Sequence, residues 1–281
     1  MKISDGVKFM FFSIVAFSFM HLCVKAIPNI PVHQIITLRS VFSISVCIYT
    51  LRKNNIPFWG NNKPLLILRG LVGALSLFCF FYSIKNLPLA TAVTISNLIP
   101  IFALTLSAVF LKEKIKGYQW LFFFVSFAGV CVIKGFDNRV SSFDLVIALV
   151  AAFFTACAHF TVRKLRDFDH PMVIVFYFPL VTIPLIAPYT FTHWVQPDWF
   201  EWGILFLIGL FTHVGQVYLT EAYKNEEVSG VTFIYYIGIV LALGYGYFIF
   251  GETYNFQTAL GIFLIISGIG SNLVYKKVQR H

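Results

Sequence analysis

Charge is what this 281-residue chain has least of. Asp, Glu, Lys and Arg make up 12% of it, against about 25% in an ordinary soluble domain. With 58% hydrophobic residues and a mean hydropathy of +0.80, it has too little polar surface to cover a water-soluble fold. Acid is scarcer than base, 12 residues against 21, and only Glu221 of the carboxylates falls well inside an apolar run. The chain has no CxxC, no HExxH box, no Gly-rich phosphate loop and no paired intramembrane acids, so catalytic and metal sites are not expected and no cofactor is implied. The five cysteines sit singly within apolar runs, as small core hydrophobes do. A net charge of +9 could suggest nucleic acid, but no basic run is interleaved with aromatics as single-strand binders require. The first apolar run, Val7 to Ala26, lacks a small-x-small cleavage site and is followed at once by others, so it is read as retained.

What is present is a succession of apolar runs long enough to cross a bilayer, which takes about 20 residues. Ten spans are expected, at 7–26, 32–51, 65–84, 88–111, 118–135, 143–162, 171–190, 202–222, 228–250 and 256–275. The separators are helix-ending residues: Ile27-Pro28-Asn29-Ile30-Pro31, the Asn- and Pro-rich stretch 54–64, Asp169-His170-Pro171 and Gln196-Pro197-Asp198. The two faces of the membrane share the basic residues unequally, sixteen against Lys25, Lys85, Lys134 and Arg139, with Arg39 left inside a span. The richer face is expected to be cytoplasmic, placing both termini there in an inner (plasma) membrane. The five Trp fall near span ends, where indoles sit at the interface.

The stretch Gly70 to Lys134 recurs without a gap 139 positions later: Gly70 falls on Gly209, Lys85-Asn86 on Lys224-Asn225, Glu113 on Glu252 and Gly129 on Gly268. The polar pairs fall at span boundaries, where chance apolar identity cannot produce them. Five spans per copy is an odd number, so the second copy must cross the membrane in the opposite sense. The expected fold is therefore an all-α membrane protein of ten transmembrane helices in two inverted five-helix repeats, residues 1–136 and 137–281. Repeats of this kind place a substrate site between the halves.

The run Tyr82-Ser83-Ile84-Lys85-Asn86-Leu87-Pro88-Leu89-Ala90 through Pro100, ending Phe110-Leu111-Lys112-Glu113-Lys114, resembles the signature of the drug/metabolite transporter superfamily, EamA-type. Arg39 in the second span and Lys25 closing the first share the resemblance. It covers nearly the whole chain as two EamA-like halves and implies an inner-membrane carrier with a central cavity working by alternating access. Members carry amino acids, nucleotide-related compounds, vitamins, sugar phosphates and drugs, so the substrate stays open. Leu68-Arg69-Gly70 resembles the branch that includes S-adenosylmethionine carriers. The halves differ where Ile239 replaces Pro100 and Gly251 replaces Lys112. The first span lacks the central Glu with which small multidrug pumps exchange protons for cations, which argues against a cation/proton antiporter.

Polar groups inside spans cost enough to need a reason. His21 and Lys25 stand at i, i+4 in the first span, and His159 and Arg163 repeat that spacing in the sixth. Together they could line a cavity; otherwise the cations snorkel and the imidazoles bond to neighbouring helices. His213, Gln216, Thr220 and Lys224 form one polar stripe on the eighth span, with Glu221 beside it. Thr94 and Asn97 in the fourth span, and Tyr235 and Tyr236 in the ninth, complete the candidate substrate wall, the tyrosines as a stacking surface. Arg39 and Glu221 are read as structural intramembrane charges. The expected protein is not an enzyme but a secondary transporter of a small polar metabolite, amino-acid- or nucleoside-like, with S-adenosylmethionine among the candidates. The alternatives are an exporter of drugs or amphiphiles and a non-transporting receptor or scaffold. Its partners are a small-molecule substrate and the bilayer, with no nucleic acid, as a monomer or homodimer.

Overall fold

The computed structural model describes residues 4–111, 117–137, 140–225 and 234–278, and among these it is all-helical. The first half holds α1 (Asp5–Ala26), α2 (Val32–Lys53), α3 (Lys63–Asn86), α4 (Leu89–Ser96), α5 (Ile99–Leu111) and α6 (Gly117–Phe136). The second holds α7 (Ser142–Leu165), α8 (Pro171–Thr192), α9 (Trp199–Asn225), α10 (Tyr235–Phe248) and α11 (Phe256–Val278). Six of them, α1, α2, α3, α7, α8 and α9, are long and apolar enough to cross a membrane. Shorter apolar stretches lie at Leu89–Ala103, Phe124–Ile133, Ile237–Phe248 and Phe256–Gly268.

Helix starts are set by side chains that satisfy backbone N–H groups no carbonyl can reach. Ser4 accepts from the Val7 N–H, Asn62 from Leu65, Ser141 from Asp144 and His170 from Met172. Pro64 and Pro171 occupy first-turn positions, where a missing N–H costs nothing. The fourth expected span, 88–111, is not one helix. It breaks between α4 and α5 at Asn97, whose side-chain amide donates to the Val93 carbonyl (2.8 Å) while its backbone N–H is shared by Val93 and Thr94. Pro100, three residues on, has no N–H to return to Ser96, so the ladder cannot continue. The ninth span was expected to begin at 228; residues 226–233 lie outside the described residues, and α10 starts at Tyr235.

The most extensive packing pairs α1 with α9, α6 with α11, α3 with α7 and α2 with α8. α1 and α9 run antiparallel: Phe9 stacks on Tyr218, the Ser13 hydroxyl donates to the Gly215 carbonyl (2.9 Å) and Phe19 stacks on Phe211. Gly215 seats the Phe17 ring, and any side chain there would occupy its space. α6 and α11 meet backbone to backbone, since a Cβ on Gly129 would lie 2.5 Å from the Gly261 carbonyl. Small residues at such crossings let membrane helices approach closely.

Two apolar cores occupy opposite ends of α1. One gathers Met20, Val24 and Ile27 with Phe81, Ile84, Leu89 and Ile208; the other gathers Met10 and Ile14 with Leu51, Leu66, Val173, Leu219 and Ala222. Outside, the surface is apolar rather than charged: Phe191, Phe248 and Phe256 are exposed by more than 70%. A soluble monomer seldom shows such a skin; lipid covers it at no cost.

Candidate functional site

Between the two cores lies a cavity of about 140 Å³ whose wall draws on helices from both halves of the chain. α1 contributes Phe17, Ser18 and His21; α2 Arg39; α3 Arg69, Ser76 and Phe80; the α4–α5 break Ser96 and Asn97. α7 adds Thr155 and His159, α8 Phe178, and α9 Gln216. Discontinuous helices are where membrane carriers expose backbone and amide groups to solute, because regular helix interiors have none to offer. Asn97, 5% exposed, stands at such a break.

The dominant feature is a pair of buried guanidiniums. Arg39 is 1% and Arg69 4% exposed, and both lie over the ring of Phe178, at 4.8 and 5.0 Å from its centroid. Each gains cation–π attraction, worth about 2 kcal/mol or more when desolvated. Arg69 fits because residue 73, one helical turn on, is glycine; a methyl there would overlap both Arg69 Nη1 and the Phe178 ring edge. Its Nη2 donates to the Gln216 amide oxygen (3.3 Å). Nε, Nη1 and Nη2 of Arg39, and Nε and Nη1 of Arg69, have no hydrogen-bond partner among the described residues. No carboxylate lines the cavity among the described residues.

Of the residues expected from sequence, the cavity brings together His21, Asn97, His159 and Gln216, and it adds Arg39, which the sequence reading favours as a structural charge. His21 meets the Phe80 ring edge-on at 5.0 Å, and His159 Nδ1 pairs with the Tyr223 hydroxyl at 3.1 Å. The others are placed elsewhere. Lys25 forms a 3.0 Å ion pair with Glu252. His213 is buried against Ser43 of α2 (3.1 Å), and the Thr220 hydroxyl donates to the Gln216 carbonyl (2.9 Å). Thr94 is buried in α4, its hydroxyl without a partner among the described residues. Arg163 borders a surface depression with Lys164 and Arg166. Glu221 is half-buried in the last turns of α9. The side chains of Tyr235 and Tyr236 lie outside the described residues.

Arg69, Gly73 and Phe178 escaped sequence reasoning. Arg69 was counted with the cytoplasmic basic residues because it lies only seven positions into α3, within snorkelling reach. The glycine one turn later was the available signal, since it clears room for a long side chain folded back along its own helix.

At one end of the bundle, beyond the cavity, a polar cluster ties three chain segments. Both Glu252 oxygens accept from the Leu89 N–H (3.0 and 2.9 Å), capping α4 from outside its own sequence, and Glu252 also takes the Lys25 ammonium and the Tyr254 hydroxyl (2.8 Å). Lys85 donates to the carbonyls of Pro28 and Ile30 beside it.

An apolar-skinned helical bundle around a cavity holding buried polar groups fits the class of multi-pass membrane transporters. The chain is a member of the EamA-like transporter family, whose profile matches it twice, over residues 5–135 and 142–273. It is 34% identical over 253 residues to the pseudopaline exporter CntI of Pseudomonas aeruginosa, covering 89% of each chain. It is 26% identical over 217 residues to an S-adenosylmethionine uptake transporter of Rickettsia prowazekii, covering 75% of this chain and 74% of that one. A solved crystal structure at 17% identity superposes with a TM-score of 0.72 over 99% of both chains, sharing the fold.

Proposed function

We propose that this chain is a ten-span secondary transporter of the inner membrane, built as two inverted five-helix repeats over residues 1–136 and 137–281. It moves a small polar metabolite through the cavity by alternating access. The observation that carries this is the cavity itself: buried polar groups from both halves converge on one pocket between two apolar plugs. The two separate matches of the family profile support the division of the chain. Packing supports the inversion. Under exchange of the halves the α1–α9 contact maps onto α7–α3, while α2–α8 and α6–α11 map onto themselves, and these are the most extensive contacts. α1 and α9 run antiparallel, as opposite threading requires, because the first and third spans of one half run parallel.

We infer export as the working direction, supported by the higher identity to relatives named as exporters than to those named for uptake. The bias of basic residues to one face supports placing both termini on the cytoplasmic side. Purified protein in liposomes should exchange internal labelled solute for external unlabelled solute, and protein-free liposomes should not. Flux no faster than in empty vesicles, across acidic, neutral and basic metabolites, rejects a carrier and leaves a receptor or scaffold.

A further inference from the structure

We propose that Arg39 and Arg69 form an oxyanion receptor for organic acids with two carboxylates, so that the solute bound in the cavity is a net anion. This rests on the carrier reading above and names the substrate class of that same site.

A guanidinium presents a planar fork of N–H donors that a carboxylate fills with two parallel hydrogen bonds. Two such forks share the Phe178 ring, at 4.8 and 5.0 Å. Three nitrogens of one and two of the other have no partner among the described residues, though both side chains are more than nine-tenths buried. Unpaired charge of that kind is the most expensive arrangement a membrane interior can hold, and where it persists it serves a ligand or a partner charge. Among the described residues the wall supplies no partner charge: its other polar members are hydroxyls, amides and the two imidazoles of His21 and His159. One carboxylate leaves a positive charge uncompensated, and two neutralise the pair. Gln216 is held by Arg69 with its amide oxygen engaged, which leaves its N–H₂ as a further donor for a ligand oxygen.

The rest of the wall sets the body of the acid. Phe17, Leu77 and Phe80 are apolar, so the part between or beyond the carboxylates is hydrocarbon-like. Inorganic phosphate gathers its four oxygens on one centre and has no hydrocarbon body to cover that apolar rim. A cation finds no acid there among the described residues. S-adenosylmethionine, with a sulfonium and an ammonium against one carboxylate, is therefore expected to bind poorly despite the likeness to its uptake transporters.

The test uses the full chain purified in detergent and its melting temperature with succinate, glutarate, dimethyl succinate, inorganic phosphate and S-adenosylmethionine, since a ligand of the folded state raises that temperature. Succinate or glutarate should give a saturable rise that the diester does not. Arg39→Gln and Arg69→Gln should each weaken the effect at least tenfold, with Arg39→Lys in between because it keeps charge and loses the fork. Should Arg39→Gln elute as aggregate, Phe178→Leu, which removes the shared ring and no charge, takes its place with a smaller loss expected. No rise with either dicarboxylate, an equal rise in the substituted proteins, or a larger rise with phosphate or S-adenosylmethionine overturns the assignment. The two readings fail separately. Saturable dicarboxylate binding with no flux in vesicles keeps the receptor and removes the carrier. Flux of a neutral or cationic solute that succinate does not inhibit keeps the carrier and removes the acid.

Discussion

The Lys25–Glu252 pair gives the sharpest stability prediction, because it joins α1, the start of α4 and the segment between α10 and α11 at one end of the cavity. The nitrogen–oxygen distance is 3.0 Å, with the side chains 16% and 10% exposed. Removing one partner of a fully buried pair costs about 3–5 kcal/mol, and exposed pairs are worth about 0–1 kcal/mol. For this nearly buried pair Lys25→Met should cost about 2 kcal/mol, between those limits. Glu252→Gln leaves the ammonium on the Leu87 carbonyl without its counter-charge and weakens the cap on Leu89, and should cost about 3 kcal/mol once the lost charge-assisted cap is included. The double substitution should cost less than the sum, with a coupling of at least about 1 kcal/mol. Unfolding in mixed micelles followed by tryptophan fluorescence reads all four proteins. Losses additive to within about 0.5 kcal/mol would show that the two residues do not stabilise one another, and the latch would be discarded.

Gly73→Ala should displace Arg69 and Phe178 together, costing about 1–3 kcal/mol in overpacking and reducing ligand-induced stabilisation, which a melting series with and without ligand will show. Gly261→Leu should force α11 off α6, since a Cβ there would lie 2.8 Å from the Gly129 carbonyl, and should abolish monodisperse elution while Gly203→Leu, in open space, leaves it intact. Gln34→Ala removes a side chain that bonds both N–H and C=O of Val195 (3.0 and 2.7 Å); with those groups part-buried the expected loss is about 1–3 kcal/mol in the same unfolding assay. Outside the spans, the His170 imidazole caps α8 and sits below its ordinary value through burial first and then Lys224, with Glu221 opposing. A folded-state value below the unfolded one means that the unfolded chain binds the proton more readily, so this contribution is present above pH 6.5 and is lost as pH falls through the folded value. His170→Asn should flatten that part of the stability–pH curve; an unchanged slope would assign it elsewhere.

Much of the helix plan was legible because it is written in punctuation: prolines and asparagines at span ends, and apolar runs between them. The α4–α5 break was harder. Asn97 and Pro100 were both visible, yet a polar amide inside a span can equally bond across to another helix, and only its contact with the Val93 carbonyl turns it into a terminator. The departure of Gly251 from its repeat partner Lys112 is explained locally: its φ is +62°, a left-handed turn that glycine adopts without strain. Within the site, His21, His159 and Gln216 were recognisable as polar groups on apolar helices. His213 and Thr220 shared that stripe, but the α9 stripe is wider than the cavity, and α2 meets its early end through Ser43. The Arg39–Phe178–Arg69 cluster joins the consecutive helices α2 and α3 to the distant α8, and periodicity along one helix says nothing of what another brings to it.

Alternating access requires that one pocket be reached from either side of the membrane in turn. Ser96 lines that pocket at the broken helix, so a cysteine at that position, with the five native cysteines replaced, is the direct probe. In oriented vesicles, Ser96→Cys should react with a membrane-impermeant thiol reagent added from either face, and substrate should slow both reactions. Reaction from one face alone, unaltered by substrate, would contradict alternating access.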